Sequence, residues 1–295
     1  MSTGILVMID RPTRGQAGTG EPFRVVPADA PALRATVLAA TRGDGVFETA
    51  AIRDGRVQAA ASHLARFARS AAMLALPEPD PEVYTRAIER GIGLLDDASD
   101  AAVKYVLTRG DEEDPAVGPI GWAHVHPSED FTAARRDGLR VVLLSRGYSS
   151  DVTETCPWLL QGAKSLSYAV NRAALREAAR RGADDVLFTT TDGYVLEGPT
   201  SSLVARFGST LVTTPAEAGV LPGTTQQGMF AYAESVGLGT EFRDIRVEEL
   251  PAADALWLTS SVRLAAPVTA LDGVRHAVDD ALTAAVNAYL IARTG

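Results

Sequence analysis

Between residues 161 and 171 the chain reads Gln-Gly-Ala-Lys-Ser-Leu-Ser-Tyr-Ala-Val-Asn, and the lysine inside this stretch, Lys164, constrains the rest. Of the 28 basic residues, only Lys104 and Lys164 are lysines, and all the others are arginines. What distinguishes the two residue types is chemical. An amine can lose its proton and attack a carbonyl carbon to form a Schiff base, whereas a guanidinium stays charged. A lysine read alone is most often a solvated surface residue, so its neighbourhood must carry the argument. Lys164 is followed by a helical pattern over residues 165–181, with Gly182 as the residue just past its end. On such a helix Tyr168 lies one turn on and shares a face with position 164.

Further along, residues 185–190 and 194–197 read as two strands joined at Asp192-Gly193, with Glu197 at the end of the second. Leu221-Pro222-Gly223-Thr224-Thr225 then leads into a helix over 225–235. Backbone N–H groups at a helix start, helped by a hydroxyl, suit a phosphate, although the same threonine also serves as an ordinary N-cap. Residues 277–293 read as a closing amphipathic helix.

The N-terminal half runs strand, strand, helix. Gly43-Asp44-Gly45-Val46-Phe47-Glu48-Thr49 opens a strand that turns at Asp54-Gly55 into a second strand over 56–60. Because the glycine-rich turn leads into a strand, a Rossmann reading fails. Ser62 is placed as the N-cap of a helix with Leu64, Phe67, Ala71 and Leu74 on its buried face. Arg66 lies on this helix, in His63-Leu64-Ala65-Arg66-Phe67. A second helix is expected over 81–95 and a strand over 102–108. Lys104 sits in that strand as the rival Schiff-base lysine, with no partner motif around it, and is read as structural. Arg109 follows in a Thr-Arg-Gly turn. His124 and His126 alternate onto one face of a strand, without the acidic or cysteine neighbours of a metal site. A strand over 139–145 and a crossover over 146–158 complete the half.

These stretches, in this order, resemble the class IV (fold type IV) pyridoxal-phosphate aminotransferases and lyases. That family carries a Gly-Asp-Gly-x-Phe-Glu-Thr strand, His-Leu-x-Arg-Leu, K-[ST]-L-x-Y-x-x-N, D-x-x-G-x-[VI]-x-E and L-P-G-[IT]-T-[RQ], and the likeness runs from about Gly43 to Val268. The resemblance implies an α/β (α+β) protein of two domains, a smaller N-terminal one over 1–146 and a larger one over 147–295, with pyridoxal 5'-phosphate between them. It implies that Lys164 holds the cofactor as a Schiff base and then moves the substrate α-proton. Glu197 keeps the pyridine nitrogen protonated, which the cofactor needs to act as an electron sink. Tyr168 hydrogen-bonds the ring hydroxyl oxygen, while Arg66, Thr224, Thr225 and Ser261 anchor the phosphate. The chain departs from the family at Phe67 (usually Leu), Ser202 (usually Asn) and Ser261 (usually Thr).

The sequences RGDGVFET, KSLSYAVN and EGPTSSLV are most similar to proteins of the aminodeoxychorismate lyase type. The expected reaction is conversion of 4-amino-4-deoxychorismate to 4-aminobenzoate and pyruvate. The alternative is an aminotransferase acting on D-amino or branched-chain amino acids, because both reactions begin with the same proton abstraction. Two readings stand outside the family. A class I aldolase would also use Lys164, but it calls for repeated βα units that the N-terminal half lacks. A catalytically silent protein that keeps the cofactor is at odds with the full set of cofactor residues. The resemblance also implies a homodimer.

Composition sets the remaining bounds. A chain of 295 residues holds one large or two ordinary domains. A net charge of −9 argues against nucleic acid as the main partner and leaves a small amine or amino-acid substrate open. The single cysteine, Cys156, cannot form an internal disulfide, which suits a reducing compartment. No stretch approaches ~18 consecutive apolar residues, so a soluble, cytoplasmic protein is expected, with no membrane partner.

Overall fold

The structure of the chain, a computed structural model, describes residues 4–293, and their contacts group into two units. The first runs to Glu129 and takes in Ala163–Tyr168 from later in the chain. The second holds Asp130–Gly162 and Ala169–Arg293.

In the first unit the chain forms β1 (Ile5–Ile9), β2 (Phe23–Pro27), the short α1 (Leu38–Thr41), β3 (Gly45–Arg53), β4 (Arg56–Val57), α2 (Ala60–Met73), α3 (Pro81–Ile92), β5 (Asp100–Thr108) and β6 (Ile120–Pro127). The strands make one antiparallel sheet in the order β2-β1-β6-β5-β3-β4. Asp54 and Gly55 both take left-handed backbone and reverse β3 into β4, as an Asp-Gly hairpin should. The second strand is shorter than the sequence suggests, because the helix begins at Ala60. Its N-cap is Ala59, so Ser62 lies inside the first turn and caps nothing.

Three aromatic rings fasten α2 and α3 to the sheet. Phe67 meets Tyr84 and Tyr105 edge-on, with centroids 5.0 and 4.9 Å apart, and the Tyr84 hydroxyl donates to the Val106 carbonyl at 2.8 Å. Such pairs contribute about 0.5–1.5 kcal/mol each beyond their buried area. They also fix the rotation of α2 about its axis, so that His63, Arg66 and Ser70, all buried, share the inward face with Phe67 and Ala71. Leu64, expected on that face, is only half-buried.

The second unit contains α4 (Thr132–Asp137), β7 (Leu139–Ser145), the short α5 (Val152–Thr155), α6 (Ala169–Arg180), β8 (Asp185–Thr189), β9 (Ser202–Phe207), β10 (Thr210–Thr213), α7 (Thr224–Ser235), β11 (Gly239–Phe242), β12 (Ala255–Ser260), β13 (Leu264–Leu271), β14 (Val274–Arg275) and α8 (Asp280–Ala292). Its mixed sheet runs β11-β10-β9-β12-β13-β7-β8, with β14 beside β13. β7 pairs in parallel with both β13 and β8, and residues 130–146, placed with the N-terminal half by the sequence, group with the second unit. Alternation along the strands divides the core. Leu203, Ala205, Leu256 and Leu258 pack on one side. Val204, Ala255 and Trp257 pack on the other with Met229 and Phe230 of α7 and Val286 and Leu290 of α8, as a period of two requires. The buried Trp257 indole donates to Thr283 of α8 at 2.7 Å. Among the described residues no helix is long and apolar enough to cross a membrane.

Candidate active site

The lysine segment is extended where the sequence suggests helix. Ser165 bridges Val46, the Phe47 amide donates to the Lys164 carbonyl at 3.0 Å, and the Leu166 amide donates to the Gly45 carbonyl at 2.8 Å. The α6 helix starts only at Ala169. Main-chain pairing with β3 therefore wins over helix propensity for residues 164–168. It also explains Gly45. A Cβ there would lie 2.7 Å from the Leu107 carbonyl oxygen and 2.8 Å from Leu166 Cδ1, so the lysine segment can lie across β3 only over a glycine. On the other side Ser70 of α2 accepts the Lys164 amide at 3.1 Å. Lys164 is thus clamped between a strand and a helix by its own backbone.

Phe47 gathers the side chains. Lys164 Nζ stands 4.6 Å from the centre of its ring, and Lys104 Nζ stands 5.3 Å from the same centre. Both fall within cation–π range. Tyr168 packs on Phe47 edge-to-face at 5.4 Å. Tyr168 and Lys164 are therefore brought together through Phe47 and not by a shared helix face, which corrects the sequence expectation. Both lysines of the chain face one aromatic residue.

Arg66 has a partner the sequence reading did not assign. Its Nε and Nη2 meet the two oxygens of Glu48, each at 2.7 Å, and His63 Nδ1 lies 2.8 Å from Glu48 Oε2. Glu48 is 0 % exposed and Arg66 8 %. Burial by itself would raise the Glu48 pKa, but hydrogen bonds from Arg66 and His63 and the charges of Arg66 and Lys164 bring it down to about 2. Burial pushes His63 below its ordinary value against the pull of Glu48. The imidazole is then neutral near pH 7, with its proton on Nδ1 toward the carboxylate. A signal for this cluster was available, since Glu48 is the one acidic residue in a mostly apolar strand. Arg109, by contrast, holds Asp44 at 2.7 Å and the Leu74 carbonyl at 2.7 Å, tying the start of β3 to the end of α2.

In the second unit, Glu197 continues the β8 edge, accepting the Phe188 amide through its carbonyl at 2.9 Å. Its Oε1 accepts the Leu221 amide at 3.1 Å, which fixes the carboxylate just upstream of α7. Asn171 of α6 donates to the Pro199 carbonyl at 2.7 Å and steadies the turn after Glu197. At the start of α7, Thr224 and Thr225 are both buried, and Thr224 Oγ1 lies 3.3 Å from Ser261 Oγ. Thr225 Oγ1 is buried with no hydrogen-bond partner among the described residues. A buried hydroxyl left unmatched at the positive end of a twelve-residue helix suits an anion. The neighbouring turn is tight, because a Cβ on Gly223 would come within 2.4 Å of Ser202 Oγ. The small residue at 202, where the family usually has asparagine, packs directly beneath this turn.

The first unit holds an amine on a rigid backbone, and the second holds a fixed carboxylate and a helix start with an unmatched hydroxyl; each set, taken by itself, has chemistry that suits pyridoxal phosphate. Comparison with known proteins agrees. Residues 45–271 match the family model of class IV amino-transferases. The chain is 44% identical over 255 residues to a bifunctional aminodeoxychorismate lyase / D-amino acid transaminase of Mycobacterium tuberculosis, covering 83% of this chain and 88% of that protein. A fold IV transaminase of Curtobacterium pusillum, CpuTA1, superposes with a TM-score of 0.94 at 50% identity, over 99% of this chain and 98% of the other. The pyridoxal-phosphate-bound form of a hypothetical aminotransferase from Mycobacterium tuberculosis superposes with a TM-score of 0.87 at 38% identity, over 98% and 99% of the two chains. The chain belongs to the class IV aminotransferases, enzymes of fold type IV that use pyridoxal phosphate.

Proposed function

We propose that the protein is a lyase that converts 4-amino-4-deoxychorismate to 4-aminobenzoate and pyruvate. The observation that carries this reading is the pair of lysines around Phe47, with Nζ atoms 4.6 and 5.3 Å from its ring. One amine is needed for the covalent chemistry. The second brings a further positive charge to the same ring, which suits a substrate bearing carboxylates. The Mycobacterium tuberculosis relative, a bifunctional aminodeoxychorismate lyase / D-amino acid transaminase, includes this activity in its name and is compatible with it.

When bound, pyridoxal phosphate supplies an electron sink for the substrate α-carbon. The chain's own residues do the rest. In the first unit Lys164 would hold the cofactor covalently through its amine and would also serve as the base for the substrate α-proton. Its main-chain clamp between β3 and α2 fixes the point from which that side chain reaches. Tyr168 would donate to the ring hydroxyl oxygen, and Arg66 would contact the phosphate. In the second unit Glu197 would hold the proton on the ring nitrogen, and Thr224, Thr225 and Ser261 would bind phosphate oxygens.

The second reading is transamination of D-amino acids, named in the same relative's activity, with branched-chain amino acids as a further option. Stoichiometry separates the two. A lyase given aminodeoxychorismate alone releases pyruvate and 4-aminobenzoate over many turnovers. A transaminase given an amino acid alone stops after one equivalent per site and resumes when a keto acid is added. Only the second pattern would overturn the lyase reading and leave the family intact. The working form is proposed to be a cytoplasmic homodimer, supported by the exposed apolar side chains Trp158, Leu159 and Val170 on the second unit. Fully active monomer by sedimentation would exclude the dimer.

A further inference from the structure

We propose that Glu48 is a positioning residue for the cofactor phosphate, acting through Arg66. The inference rests on the assignment of Arg66 to the phosphate made above.

The geometry is unusual for a pair whose purpose is stability. Glu48 is fully buried and Arg66 nearly so. A buried ion pair of this kind contributes little compared with apolar residues of the same volume. Stability alone therefore does not account for it. Orientation does. The Nε–Nη2 edge of the guanidinium is matched to the two oxygens of Glu48, each at 2.7 Å. His63 holds the same carboxylate from a third direction at 2.8 Å, so Glu48 cannot rotate to follow Arg66. Arg66 and His63 stand one turn apart on α2, while Glu48 comes from β3. A planar guanidinium fixed along one edge presents the opposite edge, Nη1, in one direction only.

Charge alone gives the opposite expectation from orientation. Glu48 offsets the charge of Arg66 and lies within electrostatic reach of Lys164, which is anchored to the same strand. Its negative charge opposes a phosphate, so removing it would strengthen phosphate binding if electrostatics alone mattered. If orientation matters more, removing it weakens binding. The sign of the effect therefore discriminates between the two roles.

The test compares equilibrium binding of pyridoxal 5'-phosphate with that of pyridoxal, which lacks the phosphate, to the full-length cofactor-free protein. The ratio of the two affinities reports the phosphate contacts, and a general loss of structure would lower both together. Glu48→Gln is expected to lower affinity for the phosphorylated form at least tenfold and change affinity for pyridoxal less than twofold. Arg66→Gln should do the same, and the double variant should lose little more than either. A Glu48→Gln protein whose ratio is unchanged or increased, while Arg66→Gln lowers it, overturns the role of Glu48 and leaves Arg66 as a phosphate contact. An unchanged ratio in Arg66→Gln overturns the assignment of Arg66 itself, and the inference falls with it. If Glu48→Gln does not fold, Glu48→Asp keeps the charge but withdraws the carboxylate by one methylene. It should lower the ratio at least threefold, and an unaltered ratio there also overturns the proposal.

Discussion

Thr224 and Ser261 hold their hydroxyl oxygens 3.3 Å apart, one at the start of α7 and the other just past β12. Two segments far apart in sequence thus put hydroxyl groups at one helix N-terminus, beside the unmatched hydroxyl of Thr225. An unmatched buried hydroxyl costs about 1–3 kcal/mol unless a ligand satisfies it. The isosteric change Thr225→Val should therefore leave the cofactor-free protein as stable as wild type or stabilise it by about 1 kcal/mol. The same change should weaken pyridoxal phosphate binding roughly tenfold, about 1.4 kcal/mol. Thermal melts of the cofactor-free protein and a binding titration check the two halves separately. Unchanged affinity would remove Thr225 from the phosphate site.

Lys164→Arg should abolish turnover and covalent attachment together, because a guanidinium forms no Schiff base. Lys104 makes this a sharp test, since a second amine faces the same ring. Borohydride reduction of wild-type protein followed by peptide mapping should place the label on Lys164 alone. Label on Lys104 would exchange the roles of the two lysines.

How far the sequence went is clear at this lysine. Lys164, Tyr168 and Glu197 stood out through residue chemistry and motif order, and β7, β8 and α7 lie within a residue of their expected places. The helix at 165–168 was misplaced because periodicity is local, whereas the hydrogen bonds that extend this segment come from β3, more than a hundred residues earlier. The apparent N-cap at Ser62 failed for a related reason, since the hairpin delivers the chain into α2 through Ala59 in left-handed backbone. Glu48 lies inside the Gly-Asp-Gly-x-Phe-Glu-Thr motif, which by itself assigns it no role. Its partners His63 and Arg66 lie on another element, and pairing across elements is invisible to a linear reading.

Acid should destabilise the protein in two steps of the same sign. Glu48 titrates at about 2 in the folded chain, below its ordinary 4.5. The unfolded state therefore binds more protons between these values, and stability falls as pH drops from 4.5 toward 2, by about 3 kcal/mol in total. His63 is held below its ordinary 6.5, so its contribution is complete above 6.5 and declines as pH falls below that value. Urea unfolding between pH 7 and 3 should show a shallower acid slope below pH 4.5 in Glu48→Gln than in wild type. Parallel curves would mean that Glu48 is not ionised by its partners as the geometry implies.

The turn that carries Ser261 depends on a second buried pair. Arg263 Nη1 donates to Asp185 Oδ2 at 2.7 Å, with side chains 12% and 2% exposed. Arg263 Nε and Nη2 are buried with no hydrogen-bond partner among the described residues. Asp185 is thus a principal compensation for this charge, and removing it strands a buried cation. Leu264, next in the chain, sits fully buried with a φ of +65°, so the turn is strained and needs its tether. Asp185→Ala should destabilise the protein by roughly 3–5 kcal/mol. Asp185→Leu combined with Arg263→Met should recover most of that loss, because two apolar side chains carry no desolvation penalty. The double variant keeps a core but loses the tether, so its affinity for pyridoxal phosphate should fall while its melting temperature returns toward wild type. Recovery of both would mean that the pair only fills space. Recovery of stability alone would assign Arg263 to holding Ser261 in place.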